Sequence, residues 1–233
     1  MSVPVESPQV PLALVAAAEW RLLSLLFERP RDGWLQEIES LSHEIESADL
    51  GQAVAAAAEA REASYLEVLG PSGCVSPREV AYRGREDLGH ILADIAVFHE
   101  AFVFRPQAED PLDHVAVEAS LVGFLRLKEA YASSQGDVEA AATCAVAAQR
   151  FIEAHLRCFA EPLLDRLESA GGPPHLVLAG RALVARTGPA PAWYRDGGPS
   201  GEQECGEMEC GGCELPSSAP AAGAPRRPPG GCP

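Results

Sequence analysis

Glu109-Asp110-Pro111-Leu112-Asp113-His114, with Glu118 one helical turn further on, is the densest collection of acid and imidazole in the chain. Its local chemistry is that of a helix start. Asp110 can cap, and Pro111 suits the first helical position, where its missing N–H costs nothing. Asp113 then falls at the third position, near the positive end of the helix dipole. His114 and Glu118, four apart, share a face and can pair.

Working outward, the flanking sequence is amphipathic at helical spacing on both sides. Leu12 to Phe27 carries an apolar stripe that Pro30 ends. Trp34 to Ile45 reads as a second helix, and a third runs from a cap at Asp49 to Leu69, stopped by Gly70-Pro71. Residues 71–84 form a connecting loop. Glu86 to Phe104 is a fourth helix, and a fifth runs from Asp113 to about Ser133. Asp137 caps a sixth through His155-Leu156, which Pro162 is expected to divide. A last helix spans His175 to Arg186. Beyond Thr187 no hydrophobic period remains.

Composition agrees with helix packed on helix. Of 233 residues, 47% are hydrophobic and only 6% aromatic, and Val, Ile and Thr form no alternating runs. The expected architecture is all-α: a single-domain helical bundle over residues 1–195. Residues 196–233 form a Gly/Pro/Cys-rich acidic tail, whose composition predicts disorder. The net charge is -16, of which the tail's six acids and two bases hold -4, leaving -12 on the body. Such acidity excludes a nucleic-acid partner and favours a basic ligand. Residues 1–11 lack a basic segment, and the first apolar run contains Glu19 and Arg21. The chain therefore reads as cytoplasmic, with neither leader nor membrane insertion.

Catalytic motifs fail one by one. The loop Gly70-Pro71-Ser72-Gly73 lacks the Gly-Lys-Ser/Thr ending of a phosphate loop. His99-Glu100 begins a zinc-protease motif, but Val103 stands where its second histidine belongs. His90 and His99 lack a third ligand. Asp113 and His114, neighbours on one expected helix, would point about 100° apart and so form no catalytic dyad. The sequence reads as a binding protein, not an enzyme, and needs no cofactor. The tail spacing Cys205, Cys210, Cys213, with Cys232 beyond, matches that of thiolate ligands for Zn or an Fe–S cluster. A metal- or redox-responsive binding protein is thus the alternative reading.

Several blocks together resemble the TorD/DmsD/NarJ family of redox-enzyme maturation chaperones. Pro111-Leu112-Asp113-His114 followed by Glu118 is similar to its Pro-x-Asp-His hallmark. Tyr65 to Leu69 with Gly70-Pro71 resembles its aromatic block, and Ser76-Pro77 with Tyr82 the loop that follows. Asp94 to Phe102, Leu127 to Tyr131, and Phe151 to Phe159 fall in matching order. Val122-Gly123 replaces the family's aromatic-Met pair, and Ala119 its Leu. The resemblance covers roughly residues 12–187 and implies a TorD-like bundle, monomeric or helix-swapped. It implies a chaperone that binds the apo catalytic subunit of a molybdenum oxidoreductase, through a twin-arginine leader or the mature part, and assists cofactor insertion before export. Carried over, Pro111, Asp113 and His114 would bind client, Glu118 would support His114, and Tyr65, Leu69, Pro77 and Tyr82 would line an adjoining apolar surface. On that reading, replacing Asp113 or His114 lowers client maturation without unfolding the chain.

Overall fold

The computed structural model describes residues 9–84, 86–106 and 110–191. Among these, every regular element is helical. In chain order they are α1 (Gln9–Phe27), α2 (Trp34–Ser42), α3 (Ala48–Ala57), α4 (Glu62–Leu69), a 3-10 turn (Glu79–Tyr82), α5 (Leu88–Phe102), α6 (Val115–Ser134), α7 (Val138–Phe151), a π turn (Ile152–Leu156), α8 (Arg157–Ser169) and α9 (Pro174–Thr187). The all-α expectation holds. The chain divides into units 1–200 and 201–233, the second wholly outside the described residues.

The first three turns of α6 are enclosed on all sides. Val115, Val117, Leu121, Val122 and Leu125 are buried, and so are Ala116 and Ala119 between them. Such a helix occupies the middle of a bundle, not its surface. Along one flank lies α1, whose backbone approaches α6 at Gly123. A Cβ there would stand 3.2 Å from Arg21 N and 3.3 Å from Ala17 O. This close crossing accounts for the glycine at position 123. On the other flank lies α7, and α9 packs on α3 and α8.

The stretch Val10–Phe27 of α1 is long and apolar enough to cross a bilayer, but 56% of it is buried inside the bundle. Two side chains from later elements cap its last turn. Trp34 Nε1 donates to Leu25 O at 2.7 Å, and the Tyr65 hydroxyl donates to Phe27 O at 3.2 Å. These bonds satisfy carbonyls that a helix end leaves without partners.

Three boundaries differ from expectation. The long third helix is two helices, α3 and α4, separated by tight turns at Glu59 and Ala60. An Ala-rich stretch carries no signal for such a change of direction, because every face of it is equally apolar. Ser47, not Asp49, holds the cap position of α3. Asp49 sits in the first turn, bonded to Ser47, to the Leu50 N–H and to Arg186 on α9. Finally, Pro162 lies inside α8. The irregularity expected there falls a turn and more earlier, in the π turn.

Candidate functional site

The largest correction concerns the Asp110–His114 segment. Neither Asp110 nor Pro111 starts α6; the helix begins at Val115 with His114 as its cap. Pro111 opens a turn closed by His114 N donating to Pro111 O at 3.0 Å. Asp113 lies within that turn, and His114 after it is extended and forms an antiparallel bridge with Arg78. Glu79 N donates to Asp113 O and Val115 N to Pro77 O, both at 2.9 Å. The local capping signals are real, but a tertiary partner outbids them. Arg78 Nε donates to Asp113 Oδ1 at 2.9 Å and Oδ2 at 3.2 Å, and Nη2 lies 2.9 Å from Oδ1. Such a bidentate, charge-assisted contact outweighs a single cap bond.

His114 Nδ1 accepts the Ala116 N–H at 3.1 Å, which puts the ring proton on Nε2. Burial pushes its pKa down, against the nearby charges of Asp110 and Asp113. The imidazole is therefore a neutral cap. It does not pair with Glu118, as the four-residue spacing suggested. The Glu118 carboxyl instead faces Glu79.

Glu79 is the hub of this region. Its side chain is fully buried on the 3-10 turn, with Oε2 3.0 Å from His155 Nδ1 and Oε1 2.7 Å from Arg83 Nε. His155 Nε2 lies 3.2 Å from Asp94 Oδ2 on α5. Arg83 also donates through Nη2 to Ala154 O at 2.7 Å, inside the π turn. The wide turn thus offers both His155 and a backbone carbonyl to the loop. Glu118, on α6, is fully buried and neither oxygen accepts a hydrogen bond from a donor group. Burial first, and then the charge on Glu79, push its carboxyl well above the usual carboxylate range. The two carboxyls can share one proton, since two adjacent charges cannot both be sustained in the interior. Around them Tyr82 stacks on Phe159 at 5.8 Å, and its hydroxyl donates to Ser76 O at 2.6 Å. Phe98 meets Phe151 edge-on at 5.1 Å.

Of the eight expected client-binding residues, six are buried: Asp113, His114, Glu118, Tyr65, Leu69 and Tyr82. Pro111 is exposed and Pro77 half-buried. Asp113, expected to meet arginines of a ligand, already holds Arg78. Its replacement would release the loop from α6 and lower stability. Arg78, Glu79, Arg83, Asp94 and His155 were not anticipated. The one readable signal was Glu79 and Arg83 four apart, the spacing of a helical ion pair. Cys205, Cys210, Cys213 and Cys232 lie outside the described residues, as does Glu109. Among the described residues no group of three or more His, Cys, Asp or Glu side chains is arranged to hold a metal.

Beside the network, a cleft of about 1080 Å³ runs along the seam of α1 and α6. Its floor is small or apolar: Ala17, Ala116, Val117 and Gly123. Its walls are the chain from Val103 to Pro106 and the end of α1, and Asp110 stands at its mouth. None of the eight expected residues lines it. Comparison with known proteins finds no match among family models, curated proteins or solved structures.

Proposed function

We propose that this protein is a client-specific chaperone of the TorD/DmsD/NarJ kind. It binds the apo form of a molybdopterin-dependent oxidoreductase subunit, by leader or mature part, and holds it for cofactor insertion. One observation supports the reading: four of the six blocks that produced the resemblance, far apart in sequence, meet around one centre. Pro77 and Arg78 bridge to Asp113 and His114, Tyr82 stacks on Phe159, and Phe98 meets Phe151 and His155. Residues spread over a loop and four helices are therefore parts of a single device, which fixes loop 75–84 against α6 and the π turn.

The role of that device is to position. A buried centre does not touch a client, but it sets the start of α6, whose Ala116 and Val117 line the open cleft. A cleft with a small-residue floor suits a helical or extended segment of another chain. The test is co-purification of the full chain from its native cells, followed by identification of the captured proteins. Recovery of one molybdenum-enzyme catalytic subunit, lost on cofactor loading, is the expected result. Capture of no such subunit overturns the reading.

A further inference from the structure

The α1/α6 cleft has two different ends. Near the start of α1, Leu14 and, from α6, Leu127 and Phe124 line it. Leu14 and Leu127 are about half exposed, at 46% and 50%. Towards and just past the end of α1 the lining turns cationic, with Arg21, Arg29 and Arg31, and Arg105 enters from the α5–α6 connection. Leu14 on α1 to Glu28 just past its end spans roughly 20 Å at 1.5 Å per residue. That accommodates about four turns of helix or six extended residues.

The charge of this lining is the reverse of the chain's. Over the whole sequence 34 acids face 18 Lys and Arg residues, whereas the cleft shows four arginines and two acids, Glu28 and Asp110. Three of these arginines are engaged at the rim. Arg21 holds Glu28 at 2.9 Å, Arg29 reaches outward to Glu62 at 3.2 Å, and Arg31 to Glu37 at 2.9 Å. Arg29 and Arg31 are 60% and 47% exposed, so these pairs are weak and readily exchanged for a partner's carboxylates. Among the described residues Arg105 makes no ion pair; its Nη1 donates to Phe104 O at 3.0 Å.

We infer that this cleft receives a client segment whose apolar block is flanked by carboxylates, the block on Leu14, Phe124 and Leu127 and the acids on the arginines. The inference rests on the chaperone reading and narrows it. A leader rich in arginine would bring like charge to this rim, which repels it. The recognised segment is thus an acidic one, and the overall acidity of the chain keeps such segments from binding elsewhere on its surface.

The experiment uses the full chain and labelled peptides of the cleft's length, with one apolar core flanked by Glu, by Gln or by Arg, followed by fluorescence anisotropy. The expected order of affinity is Glu, then Gln, then Arg, with at least about a tenfold gap between the extremes that shrinks in high salt. The double variant Arg29→Glu/Arg31→Glu, whose side chains are exposed, keeps its helical circular dichroism and reverses the order. Equal affinities, a preference for the Arg-flanked peptide, or sedimentation showing the cleft occupied by a second copy would overturn the inference. The two proposals fail separately. Capture of a molybdenum-enzyme subunit without the peptide order removes only this one. The peptide order without such a subunit removes the client class and keeps the cleft.

Discussion

Arg186 on α9 reaches Asp49 at 2.7 Å and Glu19 at 3.2 Å, and Arg83 reaches Glu79 at 2.7 Å, yet the two clusters are built on opposite terms. Around Arg186 each acid keeps contact with water, at 42% and 24% exposure. Against burial, the Arg186 guanidinium and the Ser47 hydroxyl hold Asp49 down to about 2. Asp49 and Arg186 are each stabilised in the charged form, and the cluster pins α9 to α1 and α3. Around Arg83, Glu86 at 3.7 Å is open to water, but Glu79 and Glu118 are both fully buried. Burial and the charge on Glu79 favour the protonated form of Glu118. Ordinary ion pairing explains the first cluster. The second retains polar groups that leucines could replace with no loss of stability, which marks it as kept for geometry.

The contrast yields predictions in descending order of effect. Arg83→Leu strands Glu79 in the interior and should cost about 3–5 kcal/mol in chemical denaturation. Arg186→Leu, in its wetter setting, should cost about 1–2 kcal/mol. Equal losses would erase the distinction drawn here.

Glu118→Gln should raise stability at neutral pH by about 1–2 kcal/mol, since it supplies a neutral side chain where burial demands one. The sign with pH follows from linkage. Glu118 has its folded pKa raised, so the folded state binds more protons than the unfolded above the ordinary value of 4.5. Stability is then fully present below that value and falls as pH rises through the folded pKa. The variant should flatten that limb, and a limb unchanged by the substitution would place the proton elsewhere.

The acid side needs its own correction. His175, buried edge-on against Trp34 at 5.9 Å, is pushed down by burial from 6.5 to about 4. The unfolded chain therefore binds the proton first. Stability is present above 6.5 and is lost as pH falls towards and through 4. His175→Phe should shrink this acid limb, to which the lowered His114 and His99 also contribute, while leaving the Glu118 limb intact. At the bottom of the scale stands Arg31, whose two bonds to Glu37, at 2.9 and 3.0 Å, have good geometry but join two half-exposed side chains. Arg31→Ala should change unfolding free energy by under about 0.5 kcal/mol.

Much of this architecture is legible in the sequence because helix existence depends on local periodicity. The stripe of α1, the Gly70-Pro71 stop and the Asp137 cap of α7 are local facts, and the structure bears them out. What sequence cannot show is competition from a distance. Asp110 and Pro111 carry every sign of a helix start, but Arg78 takes Asp113 and moves the start to Val115. The resemblance carries Asp113, His114 and Tyr65 over as contact residues, and folding shows what the sequence could not: they bond to Arg78, the Ala116 N–H and Phe27 O. The cleft was illegible for the opposite reason: its floor is alanine, valine and glycine, and only the crossing of α1 and α6 gives those residues a shape.

The π turn at Ile152–Leu156 amounts to one residue inserted into an otherwise continuous rod, and it sets the phase of everything after it. Upstream and downstream apolar stripes are each regular but out of step by about 100°. A search for a single period across them finds a break where the chain has none. Removing one residue from this turn would restore a plain α-helix with little loss of helical content. It would also rotate His155 away from Glu79, or Phe159 away from Tyr82. A change in length, which preserves every side-chain chemistry in the centre, would therefore dismantle it more completely than a substitution.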